Sequence, residues 1–130
     1  MRAMSRVFVS TLVLFIGYQC YAKRPLPADV RPLIYKGVMY TAPHWASENN
    51  SKRNGGYVLA TEVETGNQMW RKRVYSTWYN PFLEEDVQDV FIVSIELAGE
   101  GDSLIITNEK GNEYRLKLKS LKVKKIKSGT

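Results

Sequence analysis

The stretch that decides the fold is GGYVLATEVETGNQMWRKRV, which occupies residues 55–74. It predicts two strands, near residues 57–63 and 68–74. Between them, Glu64-Thr65-Gly66 supplies a three-residue loop in which glycine can adopt the left-handed conformation of a bulged hairpin turn. The stretch therefore predicts one β-hairpin, with Trp70 as its largest apolar anchor.

Runs with strand character follow this hairpin. Apolar side chains in residues 87–98 recur at alternate positions, which predicts one long strand with a buried face. Residues 103–107 and 113–118 predict two further strands, separated by turns rich in glycine and asparagine. The residues assigned to the buried face of the long strand are Val87, Phe91, Val93, Ile95 and Leu97.

The residues before the hairpin give one more strand signal and one long loop. Residues 33–40 are β-branched and aromatic around Lys36-Gly37, which indicates a tight hairpin or a kinked strand. Residues 41–53 are polar and lack a sustained period, so they predict a 13-residue surface loop. A loop of that length in a small domain suggests a functional role.

Together these signals predict an all-β domain over residues 33–121. We expect roughly six to eight antiparallel strands, arranged as a small barrel or a sandwich of successive hairpins. Residues 122–130 are expected to form a basic C-terminal tail.

The N-terminus has the pattern of a secretory signal peptide over residues 1–22. Arg2 and Arg6 precede an apolar run at 7–18, and Cys20-Tyr21-Ala22 offers a cleavage site before Lys23. The apolar run is short of the ~20 residues that a membrane-spanning helix needs. We therefore expect a periplasmic or secreted protein with no transmembrane segment after signal removal.

The mature chain would begin with a proline-rich extended leader, residues 23–32. Cys20 is the only cysteine and is lost with the signal, so no disulfide, thiol nucleophile or thiolate metal site is expected. Residues 23–130 carry a net charge of +4, and residues 110–130 alone carry +7. The basic character therefore belongs to the C-terminus.

The central hairpin also resembles a known repeat. Residues 60–70, ATEVETGNQMW, are similar to the A-x-D-x-x-T-G-x-x-x-W signature of blades in quinoprotein-type (PQQ-like) β-propellers. Residues 37–40, GVMY, are similar to the strand that opens such a blade. The resemblance implies that Thr65-Gly66 makes the hairpin turn and that Trp70 docks the blade against a neighbour. Glu62 stands where the family has aspartate.

A shorter echo of the signature occurs further along the chain. Gly111-Asn112 repeats Gly66-Asn67 after 45 residues, a spacing close to one propeller blade, but no tryptophan follows it. Propellers need several blades and the mature chain has room for two at most, so one chain cannot close a ring. Quinone binding requires that ring in the family, so no cofactor is expected here.

Four residues are candidates for a binding site: His44, Trp45, Trp78 and Tyr79. His44 is the only histidine, and without a second ligand nearby it is interpreted as a solvated or capping residue, so neither a metal site nor a Ser-His-Asp triad is predicted. The three aromatic residues lie in or next to loops. They form either a platform for a sugar or a protein partner, or a cover over the ends of the sheet core.

Two charged clusters offer alternatives. Glu84, Glu85, Asp86 and Asp89 are interpreted as a solvated acidic turn, although paired carboxylates can hydrolyse glycosides or hold calcium. The C-terminal run is either a frayed edge strand, whose lysines prevent aggregation, or a disordered tail, and the same lysines can bind an anionic partner. This basic patch consists of Lys117, Lys119, Lys122, Lys124, Lys125 and Lys127.

The leading functional hypothesis is a non-catalytic binding or protein-interaction module of the cell envelope or periplasm. No catalytic residue is assigned, and the expected partner is a protein or a glycan rather than a nucleic acid. A small hydrolase using the cluster at 84–89 and a polyanion-binding domain acting through the C-terminus are the alternatives.

Overall fold

The structure is a computed structural model that describes residues 25–49, 51–84 and 87–129. The predicted signal peptide, residues 1–22, lies outside the described residues, as do Glu85 and Asp86 of the acidic cluster.

The described residues form two four-stranded antiparallel sheets, each of which is a simple meander. The first sheet has the order β1-β2-β3-β4, and the second has the order β5-β6-β7-β8. This arrangement confirms the all-β prediction and the eight-strand upper estimate, and it corresponds to a sandwich of hairpins rather than a closed barrel. The strands are β1 (Leu33–Tyr35), β2 (Val38–Thr41), β3 (Tyr57–Glu62), β4 (Gln68–Arg73), β5 (Ile92–Ala98), β6 (Ser103–Asn108), β7 (Glu113–Lys117) and β8 (Val123–Lys127).

The central hairpin is strands β3 and β4, as the sequence predicts. Gly66 has a φ of 76°, the left-handed conformation that the turn requires. Ala60 pairs with Trp70, and the register then shifts so that Thr61 pairs with Gln68. Trp70 is half-buried and packs against the core, with its ring centroid 5.9 Å from that of Tyr40.

One hydrophobic core lies between the two sheets. In the first sheet, Tyr40 and Ala60 occupy neighbouring positions on the inner face, and Val58 lies on the same face. In the second sheet, the paired residues Leu104 and Leu116 are both fully buried. The core also includes Val30, which lies in the proline-rich leader.

The long strand predicted over residues 87–98 is shorter and bulged. Strand β5 begins at Ile92, and the register shifts between Ile92 and Ser94, so Val93 is an extra residue. A bulge of this kind reverses which face the preceding residues occupy. Val93 is therefore 50% exposed while Ile92 is buried. Leu97 is also exposed, at 36%, so the assignment of Val87, Val93 and Leu97 to the buried face was wrong. Val87 lies before the strand and is also exposed.

The polar loop predicted over residues 41–53 contains a short helix, α1 (Ala46–Asn49). Local side-chain hydrogen bonds hold it: Asn54 Oδ1 accepts from the Ala46 amide at 2.8 Å, and Asn49 Nδ2 donates to the Arg53 carbonyl at 3.0 Å. Asn49 is fully buried. The described residues of this segment are therefore held by hydrogen bonds from their own polar side chains. The periodicity of apolar residues in the sequence gives no sign of such bonds.

The β6–β7 turn also contains a glycine with positive φ, but it is one residue shorter than the β3–β4 turn. Gly111 has a φ of 80°, and Asn108 Oδ1 accepts hydrogen bonds from the amides of Lys110 and Asn112. Tyr114 pairs with Ile106, as Trp70 pairs with Ala60. Each aromatic residue therefore lies in the second pair counted from its turn, although Trp70 follows Gly66 by four residues and Tyr114 follows Gly111 by three.

The C-terminal residues form the edge of the second sheet. Strand β8 pairs with β7 and lies within the 122–130 segment. Beyond it, the Gly129 amide donates to Asn112 Oδ1 at 2.7 Å. A Cβ atom at Gly129 would overlap the Lys110 carbonyl, so the chain end lies directly against the β6–β7 turn. No helix in the described part of the chain is long and apolar enough to span a membrane.

Candidate binding site

The connection between the two sheets exposes several large apolar side chains. Four of its apolar side chains face solvent: Trp78 is 79% exposed, Phe82 91%, Leu83 56% and Val87 48%. We call residues 78–84 and 87–88 the apolar loop. Isolated exposed apolar residues are normal, but several in one short segment indicate a surface that binds something.

The backbone of the apolar loop is held mainly by the side chain of Gln88. Its Oε1 accepts from the Asn80 amide at 2.6 Å. Its Nε2 lies within hydrogen-bond distance of three carbonyls, those of Asn80 at 3.1 Å, Leu83 at 3.2 Å and Glu84 at 3.1 Å. Asn80 Oδ1 also accepts from the Phe82 amide at 3.0 Å. The exposed side chains are therefore presented by a backbone with defined hydrogen bonds.

Tyr79 contacts the connection between β2 and β3. Its hydroxyl donates to Asp89 Oδ1 at 2.6 Å, and Asn54 Nδ2 donates to Asp89 Oδ2 at 2.9 Å. The Arg53 guanidinium lies over the Tyr79 ring, 4.6 Å from its centroid. Asp89 is buried, so this carboxylate links two loops rather than lying free in a turn.

A cleft of about 400 Å³ adjoins the apolar loop. Trp78 and Val87 line one side, and Glu109 and Lys110 of the β6–β7 turn line the other. It therefore combines apolar side chains with two carboxylates, Asp89 and Glu109, and one ammonium group, that of Lys110.

Tyr75 and Phe91 lie on either side of the apolar loop in the sequence. The Tyr75 hydroxyl donates to the Val90 carbonyl at 2.6 Å, and its ring stacks on that of Tyr114 with centroids 5.2 Å apart. Burial, followed by the neighbouring Tyr114, Glu109 and Tyr79 groups, raises the pKa of Tyr75 above its ordinary range. The Phe91 amide donates to Glu109 Oε1 at 2.8 Å.

His44 and Trp45 lie beside Phe91. The interpretation of His44 as a solvated or capping residue was wrong, because His44 is only 5% exposed. Its Nε2 lies 2.8 Å from the Ala28 carbonyl, and its ring meets Phe91 edge-on at 4.8 Å. Among the described residues, Nδ1 has no hydrogen-bond partner. Trp45 is partly exposed and packs against Phe91 with centroids 5.5 Å apart.

The predicted site residues therefore divide into distinct environments. Trp78 is on the surface, Tyr79 is tied to Asp89, and His44 and Trp45 pack on Phe91. Sequence analysis did not single out Phe82, Leu83 or Gln88. Their signal was the apolar pair directly after the Asn80-Pro81 turn, where a solvent-exposed turn would ordinarily be polar.

The acidic cluster is divided in the same way. Glu84 is exposed, whereas Asp89 is buried and accepts hydrogen bonds on both oxygens. Among the described residues, no group of three His, Cys, Asp or Glu side chains has an arrangement that could hold a metal ion.

The basic patch lies on other elements. Lys117 ends β7, Lys119 and Lys122 lie in the turn that follows, and the remaining members are on β8. The side chains of Lys117, Lys119, Lys122, Lys124, Lys125 and Lys127 are all exposed.

Comparison with known proteins adds no relative to this description. No protein-family model matches the chain, and no curated protein matches it significantly. The functional conclusion therefore depends on the residues and their geometry.

Proposed function

We propose that this protein is a non-catalytic interaction module of the cell envelope or periplasm, and that it binds a protein partner through the apolar loop. The observation that carries the proposal is the exposure of Trp78, Phe82, Leu83 and Val87 on a backbone that Gln88 holds in place. The secretory pattern of residues 1–22 is the basis for the compartment.

The energetics of association favour such a loop. Tryptophan is among the residues that contribute most at protein interfaces, because it buries a large rigid surface with few rotatable bonds. A loop that is already ordered loses less conformational entropy on binding than a mobile one. The hydrogen bonds of Gln88 and Asn80 therefore support binding without touching the partner.

The exposed side chains and the charge of the loop indicate what kind of surface the partner has. Side chains as exposed as Phe82 and Trp78 project from the surface, so they fit a concave apolar groove. Glu84 is exposed beside them, and Glu85 and Asp86 follow it in the sequence. We therefore propose a folded protein whose apolar groove has a basic rim.

A relationship to propeller blades is a second part of the proposal and concerns ancestry rather than activity. It is supported by the two consecutive four-stranded meanders and by the glycine turns at Gly66 and Gly111. The aromatic residues Trp70 and Tyr114 at matching pairing positions support it further.

The test places a photo-crosslinking amino acid at Phe82 in the cells that produce the protein, with the same amino acid at Ile34 as a control. Ile34 is 62% exposed and lies on β1, so it is a matched apolar surface site. We expect a discrete crosslinked protein from position 82 that is absent from position 34.

Two further results decide the proposal. Gln88→Ala should remove the crosslink from position 82 while the protein remains folded, because only the loop loses its hydrogen bonds. Equal crosslinking from position 34, a product with the mass of two copies of this chain, or no product from position 82 would contradict it.

A further inference from the structure

The second surface of interest is the free edge of the second sheet, which β8 forms. Five exposed lysines lie along it and the preceding turn, and among the described residues none of them pairs with an acidic side chain. They are Lys117, Lys119, Lys122, Lys124 and Lys125. The sixth lysine of the patch, Lys127, pairs with Glu113 at 3.5 Å. The positive charge of this edge is therefore largely uncompensated.

The lysines are held on an ordered strand and turn. The Leu121 amide donates to the Lys117 carbonyl at 2.8 Å, and the Lys117 amide donates to the Lys122 carbonyl at 3.0 Å. Leu121 itself has a φ of 58°, which closes the turn tightly. Strands rise about 3.3 Å per residue, so Lys122 to Lys127 extends over roughly 17 Å. We call Lys117, Lys119, Lys122, Lys124 and Lys125 the lysine ridge.

We propose that the lysine ridge binds a linear acidic polysaccharide. Ammonium groups at the end of β7, in the turn that follows and on β8 can bind successive sulfate or carboxylate groups of an extended polymer. This site is separate from the apolar loop and does not depend on the function proposed for that loop.

Two features favour a polysaccharide over other polyanions. Proteins that bind single-stranded nucleic acid combine positive charge with aromatic side chains that stack on bases, and residues 117–127 contain no aromatic residue. Stable attachment to a membrane surface combines charge with inserted apolar groups, whereas Ile126 is the one large apolar side chain with substantial exposure in that segment.

The competing explanation is edge protection. Lysines on an edge strand prevent two sheets from pairing, which is a common reason for their presence. The two explanations predict different behaviour when the charges are removed, because only one of them requires a ligand.

The experiment compares two triple variants of the full mature chain. The test variant carries Lys122→Gln, Lys124→Gln and Lys125→Gln. The control carries Arg31→Gln, Lys36→Gln and Lys52→Gln, which removes the same charge from exposed positions outside the ridge. Binding to a heparin oligosaccharide is measured by titration, with uncharged dextran, single-stranded DNA of equal charge and phosphatidylglycerol vesicles as additional probes.

We expect the ridge variant to lose heparin affinity about 10-fold or more and the control to stay within about 2-fold, since contacts to a polyanion are local and screened. Raising the salt concentration from about 50 to 200 mM should weaken wild-type binding by about 10- to 100-fold. A variant with Trp78→Ser and Phe82→Ser should bind heparin like the wild type, which separates this site from the apolar loop.

Three outcomes would overturn the proposal. Equal losses in the two triple variants would mean that only net charge matters. Tighter binding to DNA or to vesicles than to heparin would assign the ridge to another class of partner. No heparin binding by the wild type, together with aggregation of the ridge variant in size-exclusion chromatography, would assign the lysines to edge protection.

Discussion

Single residues fix the junction between the two sheets, and Tyr75 is the clearest example. Its ring stacks on Tyr114 in the second sheet, and its hydroxyl donates to the Val90 carbonyl at 2.6 Å. Removing the proton would leave a negative charge in a buried environment near Glu109. Burial first, and then the neighbouring ionisable groups, therefore raise the pKa of Tyr75.

The raised pKa predicts how stability depends on pH. In the unfolded chain Tyr75 titrates near its ordinary value of 10.0, and in the folded protein it titrates at higher pH. The folded state therefore holds its proton more tightly, so the stabilisation is complete below about pH 10 and is lost as pH rises above it. Denaturant unfolding between about pH 8 and 11 should show a falling free energy of unfolding above pH 10.

Tyr75→Phe is the control for this pH dependence. The variant should be less stable near neutral pH by about 1 kcal/mol, because the hydrogen bond to Val90 is lost. Its alkaline decline should be shallower, although Tyr40 and Tyr114, whose pKa values burial also raises, leave part of it. If the alkaline decline in stability is the same in both proteins, the pKa of Tyr75 does not differ between the folded and unfolded states.

Substitutions at two glycines distinguish the cost of the left-handed backbone conformation from the cost of a steric clash. Gly66 and Gly56 have similar φ values of 76° and 79°, but a Cβ at Gly66 would meet open space, whereas one at Gly56 would lie 2.6 Å from the Tyr75 carbonyl oxygen. Gly66→Ala should cost about 1 to 2 kcal/mol from the left-handed conformation alone. Gly56→Ala should cost clearly more in the same unfolding measurement, and equal losses would contradict the close approach.

At the scale of elements, the apolar loop depends on hydrogen bonds rather than on packing. Its exposed side chains contribute little to the core, so the loop conformation is maintained mainly by Gln88 and Asn80 and by the link from Tyr79 to Asp89. Loops with few buried contacts open locally at low energetic cost. Removing one of these hydrogen-bonding side chains should therefore loosen the loop without unfolding the sheets.

Gln88→Ala tests this view by hydrogen exchange. The Asn80 amide, which donates to Gln88 Oε1, should exchange at least about 10-fold faster, because it loses its acceptor. The Ala60 amide in β3 should be much less affected. Gln68→Ala, an exposed change on β4, is the matched control, and similar exchange at Asn80 in both variants would show that Gln88 does not hold the loop.

At the scale of the whole molecule, the two sheets share one core and should unfold together. Leu104 and Leu116 of the second sheet belong to the same buried cluster as Val58 and Ala60 of the first. Without the other sheet, each sheet would expose its buried apolar face to solvent. Small single domains of this kind usually unfold in one cooperative step.

Leu104→Ala is the corresponding prediction. Removing a fully buried leucine should cost about 2 to 5 kcal/mol, through lost burial and the cavity left behind. Because unfolding is cooperative, Trp70 fluorescence, measured with Trp45 and Trp78 replaced by Phe, should report the same loss as circular dichroism of the whole chain. Leu26→Ala, at a position that is 81% exposed, should stay within about 0.5 kcal/mol. Different midpoints for the two probes would mean that the sheets unfold separately.

The sequence by itself determined the strand character and the central turn, because both depend on neighbouring residues. Gly66 between two β-rich runs specifies a hairpin, and alternation at Tyr114, Leu116 and Leu118 specifies a half-buried strand. These signals are local, so reading them does not require knowledge of the partners. They were sufficient for the all-β class and for an estimate of six to eight strands.

Only the tertiary structure decided which residues are buried and which face solvent. Asp89 is buried because Asn54, 35 residues earlier, supplies a hydrogen bond, whereas Glu84 in the same acidic run is exposed. Val93 is exposed because a bulge shifts its strand, and His44 is buried because Phe91 packs against it. Burial depends on contacts between residues far apart in the chain, and local sequence patterns do not contain that information.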